Sequence, residues 1–254
     1  MGDLDGRVAV VTGGGKGIGK AVAQALAGAG ARVALLGRDV AALEAAAAPI
    51  GGVAVACDVA ESEQIAAAFG HVRAALGPIG VLVNNAGVTA SVKTVDMDET
   101  MWERVLRVNL TGAFLCCKAA LPDMLAQRWG RIVNVASIAA RSGLRYSSAY
   151  SASKHGLLGL TRSLALEVAR QGITVNAVCP GWTATEMLDT AVSNISASTG
   201  RSPADASATL AAMSPQNRIV EPDEVARAVL FLAGAGALGI TGQALNIDGG
   251  SVMS

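Results

Sequence analysis

The chain has 254 residues, 52% of them hydrophobic and 16% charged, with 20 basic side chains matching 20 acidic ones. That apolar fraction can fill a large core and excludes disorder, which requires low hydrophobicity and high net charge. Charge neutrality and the scarcity of aromatic residues (three Trp, two Tyr, three Phe) exclude the basic face or stacking platform of a nucleic-acid binder.

The amino-terminal stretch Met1-Gly2-Asp3-Leu4-Asp5-Gly6-Arg7 carries two acids and no apolar run, so it does not read as a signal peptide. Gly2 does not read as a myristoylation site either, because the required Ser/Thr is missing. Beyond it, short β-branched runs alternate with longer Ala-rich ones. Strands are predicted over 7–12, 32–36, 53–56, 81–84, 131–135, 174–179 and 244–247. They are apolar throughout, the mark of parallel strands buried on both faces. Helices are predicted over 17–29, 39–47, 61–76, 98–127, 150–170 and 222–233. Asp98 and Pro222-Asp223 supply acidic starts, and Gly30 and Gly172 supply stops. This alternation predicts one α/β domain over 1–254, a doubly wound parallel sheet of about seven strands with helices on both faces. The exception is 183–217, rich in Ser, Ala and Thr, which reads as a substrate lid or as a helical insertion.

Apolar runs such as 8–11 and 33–36 are too short to cross a bilayer, so no membrane partner is expected. Cys57, Cys116, Cys117 and Cys179 show neither zinc spacing nor a disulfide framework, which points to a reduced, cytoplasmic protein. No metal site is expected: His71 and His155 lack partners at ligand spacing. Trp102 and Trp129 are expected to bury on or beside the long helix.

After the first strand comes Thr12-Gly13-Gly14-Gly15-Lys16-Gly17-Ile18-Gly19, opening the first helix. Such glycines let backbone N–H groups approach a pyrophosphate at the positive helix terminus, so Gly13, Gly15, Gly17, Ile18 and Gly19 are cofactor-binding candidates. At the end of the second strand, where an acid would hold a ribose 2′-hydroxyl, stands Leu36-Gly37-Arg38-Asp39. Arg38 suits a phosphate, and Lys16 adds a second cation. The expected cofactor is therefore NADP. NAD stays open, with Asp39 gripping a plain ribose and both cations solvated.

Tyr150 and Lys154 are four residues apart, which places them on one helix face, and Ser137 lies upstream. A phenol with a pKa near 10 is a poor proton carrier at neutral pH, and a neighbouring ammonium is expected to pull it down. Lowering it by about three units takes roughly 4 kcal/mol, which a buried ammonium together with a second positive charge, such as an oxidised nicotinamide ring, is expected to supply. Tyr146 lacks such a lysine and reads as a pocket-wall or packing residue.

With the glycine turn, Asn84-Asn85-Ala86-Gly87, Asn109, Ser137, Tyr150 and Lys154 in this order, the chain resembles the short-chain dehydrogenase/reductase family. The likeness runs over 6–250 and takes in Cys57-Asp58-Val59 and Cys179-Pro180-Gly181. It implies a Rossmann-type fold and an oxidoreductase interconverting a ketone and a secondary alcohol. Tyr150 would be the acid/base and Ser137 would bond the substrate carbonyl. Lys154 would hold the nicotinamide ribose, and Asn109 would anchor a relay water. Asp58 and Val59 would meet adenine, Asn85, Ala86 and Gly87 the ribose side, and Pro180, Gly181 and Thr183 the nicotinamide. The segment 137–147 with 183–215 would wall the substrate, and Trp182 would lie near it. The carboxy-terminal half resembles ketoreductases acting on 3-oxoacyl or polyketide thioesters, whose phosphate Arg141, Arg145 and Arg201 would meet. The alternatives are an NAD-dependent dehydrogenase of a small secondary alcohol or hydroxy acid, and a cofactor sensor on a degenerate scaffold. All four catalytic positions being filled speaks against the sensor. A homotetramer pairing the helices from Asp98 and Tyr150 is expected.

Overall fold

In the computed structural model, which describes residues 3–253, the apolar runs become seven strands: β1 (Val8–Thr12), β2 (Arg32–Gly37), β3 (Val53–Ala56), β4 (Ile79–Asn84), β5 (Gly130–Val135), β6 (Ile173–Pro180) and β7 (Ala244–Ile247). Met1, Gly2 and Ser254, and with them the leader and lipidation readings at Gly2, lie outside the described residues. The strands form one parallel sheet in the order β3-β2-β1-β4-β5-β6-β7. Alternation across the pleat, with both faces covered, explains why β1, β4, β5 and β6 are buried at every position. Ala9, Val11, Val33, Leu35, Val81 and Val83 face one layer, and Val8, Val10, Ala34, Leu36, Ile79 and Leu82 face the other.

The first layer contains α1 (Gly17–Gly28), α2 (Val40–Ala47) and, much later in the chain, α9 (Pro222–Ala233); α1 and α9 pack side by side. The second contains α3 (Ser62–Leu76), α5 (Gly112–Gln127) and α6 (Ser148–Val168). Strand order reverses between β1 and β4, and the crevice outside their carboxyl ends is where such sheets take ligands. The expected helix starts are present: Asp98 caps α4 (Glu99–Leu106) through the Met101 N–H at 2.7 Å, and Glu221 and Glu224 form a capping box on α9. Gly30 and Gly172 take the left-handed conformation expected of stops, at φ +93° and +73°.

Two features differ from the sequence reading, the long helix and Trp102, and a third, the segment 183–217, is helical as one of its two alternatives had it. The helix expected over 98–127 is α4 and α5 joined by a π-helical turn, Arg107–Thr111, which holds Asn109. This Glu99–Gln127 run is long and apolar enough by length and composition to cross a bilayer, which the short runs considered above do not reveal. Its Cys116, Cys117, Ala120 and Met124 are instead buried against the sheet, and Asp123 pairs with Arg73 at 2.9 Å. The segment 183–217 holds two helices, α7 (Glu186–Thr199) and α8 (Pro203–Ala211). Its base is pinned by a parallel bridge between Thr183 and Val220. Trp102 is 36% exposed on the short amphipathic α4, against the expectation of burial, whereas Trp129 is partly buried with the Arg7 and Arg131 guanidinium carbons 4.0 and 4.6 Å from the ring centre.

Candidate active site

The glycine turn leaves β1 by hydrogen-bonding the Gly13 N–H to Leu36 O at 2.7 Å. Gly13 and Gly17 have φ of +64° and +48°, a region that disfavours side chains. At Gly19 a Cβ would collide with the Gly13 carbonyl oxygen, so only glycine lets α1 approach the turn this closely. No side chain caps α1, so its first N–H groups have no side-chain acceptor. An uncapped helix start behind a glycine turn fits a pyrophosphate.

A second turn, after β4, is stitched to the first. Thr12 Oγ1 accepts from the N–H groups of Asn85 and Ala86, both at 3.0 Å. Asn85 Nδ2 donates to Thr12 O at 2.9 Å and Gly13 O at 3.1 Å. Both amide protons of Asn85 are therefore spent on the glycine turn, and its side chain braces that turn. The sequence reading names Thr12 at the head of the glycine turn but gives it no role, and its position at the strand end just before the glycines is the one available signal.

The catalytic candidates converge beside these turns. Ser137 follows β5 and is buried, its Oγ accepting from Ala139 N–H at 3.1 Å, and it lies close enough to the Tyr150 phenol to favour the phenolate. Lys154, 4% exposed one turn along α6, donates from Nζ to Val135 O at 2.8 Å. The same ammonium lies 5.7 Å from the centre of the Tyr150 ring. Asn109, buried in the π-helical turn, clasps the peptide of Val88, accepting its N–H at 2.8 Å and donating to its carbonyl at 2.9 Å. It also donates to Ser153 Oγ at 3.0 Å, and Ser153 donates to Tyr150 O at 2.7 Å. A Cβ on Gly87 would sit 3.4 Å from Asn109 Oδ1 and 3.7 Å from Lys154 Nζ, which shows how closely the three residues meet. Both N–H bonds of the Asn109 side chain are thus occupied. Ser153 and Val88 are partners that no motif marked.

The electrostatics correct one expectation. Burial raises the Tyr150 phenol above its ordinary value, only partly offset by Ser137. The ammonium is itself disfavoured by burial, which lowers it to about 8. Two groups that both leave water each resist ionisation. Cys179, buried at the end of β6, is also raised by burial and stays a thiol.

At the rim the cations are already paired. Lys16 lies 3.3 Å from Asp39 and 3.2 Å from Glu186, and Arg38 lies 3.8 Å from Asp58. Asp39 caps α2 through the Ala42 N–H at 3.1 Å, and Asp58 accepts from Ala60 N–H at 2.9 Å. Val59 is buried against Gly112, and Ile18 packs at the edge of the core. A crevice too narrow to admit a water molecule runs between the β1 and β4 ends and α5, lined by Thr12, Val59, Asn84, Ala86 and Gly112 among others. Opposite, Gly181 N–H donates to Ile247 O at 3.0 Å, and Thr183 Oγ1 donates to Gly181 O at 3.0 Å just beyond Pro180. Trp182 leaves a buried indole N–H without a partner. Tyr146, with φ +63° and 49% exposed, holds Val92 N–H through its carbonyl at 2.8 Å.

A doubly wound sheet with a glycine cradle at its switch point and a Ser–Tyr–Lys group beside it defines a nucleotide-dependent oxidoreductase, and this chain belongs to the short-chain dehydrogenase/reductase family. Residues 13–252 match the family profile described as enoyl-(acyl carrier protein) reductase. The chain is similar to a 3-oxoacyl-acyl-carrier-protein reductase of Vibrio cholerae, 39% identical, covering 99% of each chain. It is similar also to a cis-4-hydroxycyclohexanecarboxylate dehydrogenase of Sinomonas cyclohexanicum, 41% identical over 96% of each. A variant of the actinorhodin polyketide ketoreductase, solved with NADPH, superposes with a TM-score of 0.94 at 40% identity, over 96% of this chain and 97% of that one.

Proposed function

We propose that the chain reduces a ketone to a secondary alcohol with NADPH, taking a 3-oxoacyl thioester or a related carbonyl compound. The observation that carries this reading is the grouping of buried Ser137 after β5, Tyr150, and buried Lys154 one helical turn along, its Nζ 5.7 Å from the Tyr150 ring centre and donating to Val135 O at 2.8 Å, at the carboxyl ends of the strands. Gly13, Gly15, Gly17, Ile18 and Gly19 would cradle the pyrophosphate, with Lys16 and Arg38 at the 2′-phosphate. Asp58 and Val59 would line the adenine, Ala86 and Gly87 the ribose, and Pro180, Gly181 and Thr183 the nicotinamide. When bound, the nicotinamide supplies the hydride.

The residues of the chain do the rest. Hydride addition builds negative charge on the carbonyl oxygen, and the Ser137 and Tyr150 hydroxyls are preplaced to receive it. A phenol whose pKa is raised is protonated across neutral pH, the form that reduction needs, so Tyr150 gives up its proton as the alkoxide forms. Lys154, charged below about pH 8, would hold the nicotinamide ribose and favour the resulting phenolate. Asn109 holds the Gly87–Val88 loop and α6 at fixed separation and would present a relay water from its main chain.

The described residues form a single folded unit in this reading, with α7 and α8 as the lid over the substrate. Arg141 and Arg145 on the 137–147 side and Arg201 on the lid would face a thioester's phosphate. The exposed Trp102, Phe114 and Leu166 on α4, α5 and α6 support pairing of these helices in a homotetramer. A second reading, an NAD-dependent dehydrogenase of a small secondary alcohol, is favoured by one observation: carboxylates already occupy Lys16 and Arg38.

The deciding experiment follows loss of NADPH absorbance with a carbonyl panel that includes 3-oxoacyl thioesters, run in parallel with NADH. Higher kcat/KM with NADPH on a 3-oxoacyl thioester is expected. Preference for NADH would move the chain to the second reading, and cofactor binding without turnover on any substrate would make it a sensor.

A further inference from the structure

Lys16 is the charged residue of the glycine turn, and two carboxylates from distant parts of the chain hold it. Asp39 follows β2, whereas Glu186 opens α7, in the segment read above as a lid. Glu186 is not alone in bringing α7 to the turn: a Cβ on Gly17 would come within 2.9 Å of Thr185 Cγ2. The first turn of α7 is therefore docked on the cofactor cradle by close packing and by an ion pair.

Resting on the NADP reading, we propose that Glu186 tunes cofactor choice, its carboxylate competing with the 2′-phosphate of the cofactor for the Lys16 ammonium. A phosphate monoester dianion arriving here gains two cations, Lys16 and Arg38. It also meets three carboxylates, Asp39, Glu186 and Asp58, each already within 4 Å of one of those cations. A plain ribose hydroxyl carries no charge to be attracted or repelled there, and a carboxylate such as Asp39 can accept its hydrogen bond. The three acids are not equivalent. Asp39 is fixed as the cap of α2, and Asp58 by the N–H of Ala60. The Glu186 side chain, 73% exposed, is the competitor whose removal leaves both turns intact. In this arrangement the lid helix and the 2′-phosphate share one cation, so preference for the phosphorylated cofactor is narrower than Lys16 and Arg38 alone would give.

The test is calorimetric binding of adenosine 2′,5′-bisphosphate and of 5′-AMP to the wild-type chain and to Glu186→Gln. At low ionic strength the variant is expected to bind the bisphosphate about three- to fivefold more tightly, the scale of an exposed ion pair, with 5′-AMP unchanged. The gain should shrink as salt is raised, since the charges are exposed. Equal shifts for the two nucleotides, or no shift for either, would overturn the proposal. A wild-type chain with no preference for the bisphosphate would instead remove the NADP reading, and the proposal with it.

Discussion

The catalytic end of the cleft and its charged rim are built on opposite principles. Ser137, Lys154, Asn109 and Ser153 are buried and joined by hydrogen bonds to one another or to main chain. A buried polar group left without a partner costs about 1–3 kcal/mol, so each of these side chains has essentially one acceptable position. Lys16, Arg38, Asp39 and Glu186 are more than half exposed and paired by charge alone or by a single turn contact. Exposed pairs contribute only about 0–1 kcal/mol and re-form readily around a ligand. The chemistry is thus fixed by burial, while the choice between related cofactors rests on side chains that burial does not constrain.

The largest effect that would break this contrast is at Tyr150. Tyr150→Phe keeps the ring and the packing but removes the proton, and turnover should fall at least about a hundredfold with cofactor affinity retained. Near-wild-type kcat would show that the buried end does not carry the reaction. Next comes Lys154. Its folded pKa, lowered to about 8, lies below the unfolded value near 10.4, so the charged form is penalised by about 3 kcal/mol at neutral pH. The sign follows: between these two values the unfolded chain binds more protons, and stability rises with pH. Relative to Lys154→Met, which does not titrate, the wild-type chain should gain about 2 kcal/mol between pH 7 and pH 9.5 in chemical denaturation. A gap of constant size would mean that the ammonium is not buried.

Much of this was legible in the sequence, for reasons that differ by element. Central strands such as 131–135 announce themselves because both faces of the sheet are covered. Tyr150 and Lys154 are legible because helical spacing alone puts them on one face. The partners that fix them are not: Asn109 reaches Val88 across 21 positions and Ser153 across 44, and Asn85 reaches Thr12 across 73. Nothing local encodes such pairings. Helices α7 and α8 were hard to see because Ala, Ser and Thr give weak contrast between faces, and the link from Glu186 to Lys16 went unseen with them. The direction of the Tyr150 shift was misjudged because spacing reports a neighbour's charge but not how far both groups leave water.

A smaller effect sharpens the contrast from the cradle, which joins the two ends. In Gly19→Ala the new methyl would meet the Gly13 carbonyl and lie within about 2.5 Å of Asn85 Nδ2. Overpacking of this kind costs about 1–3 kcal/mol, and here it also pushes the turn away from α1. Nucleotide affinity and Tm should fall together. A loss of affinity at unchanged Tm would show that the contact is relieved without moving the brace.

The smallest expected effect is at Arg38, and it bears most directly on the rim. Its guanidinium is 62% exposed and lies 3.8 Å from Asp58, a loose pair that a phosphate can replace. Arg38→Ala should weaken NADPH about fivefold, leave NADH nearly unchanged and lose its effect in high salt, because exposed charges are screened within a Debye length. Changes of equal size for the two cofactors would place Arg38 against a part they share, such as the adenine. The rim would then not be the seat of cofactor choice, and the division of labour between the buried and exposed ends would fail at its weaker side.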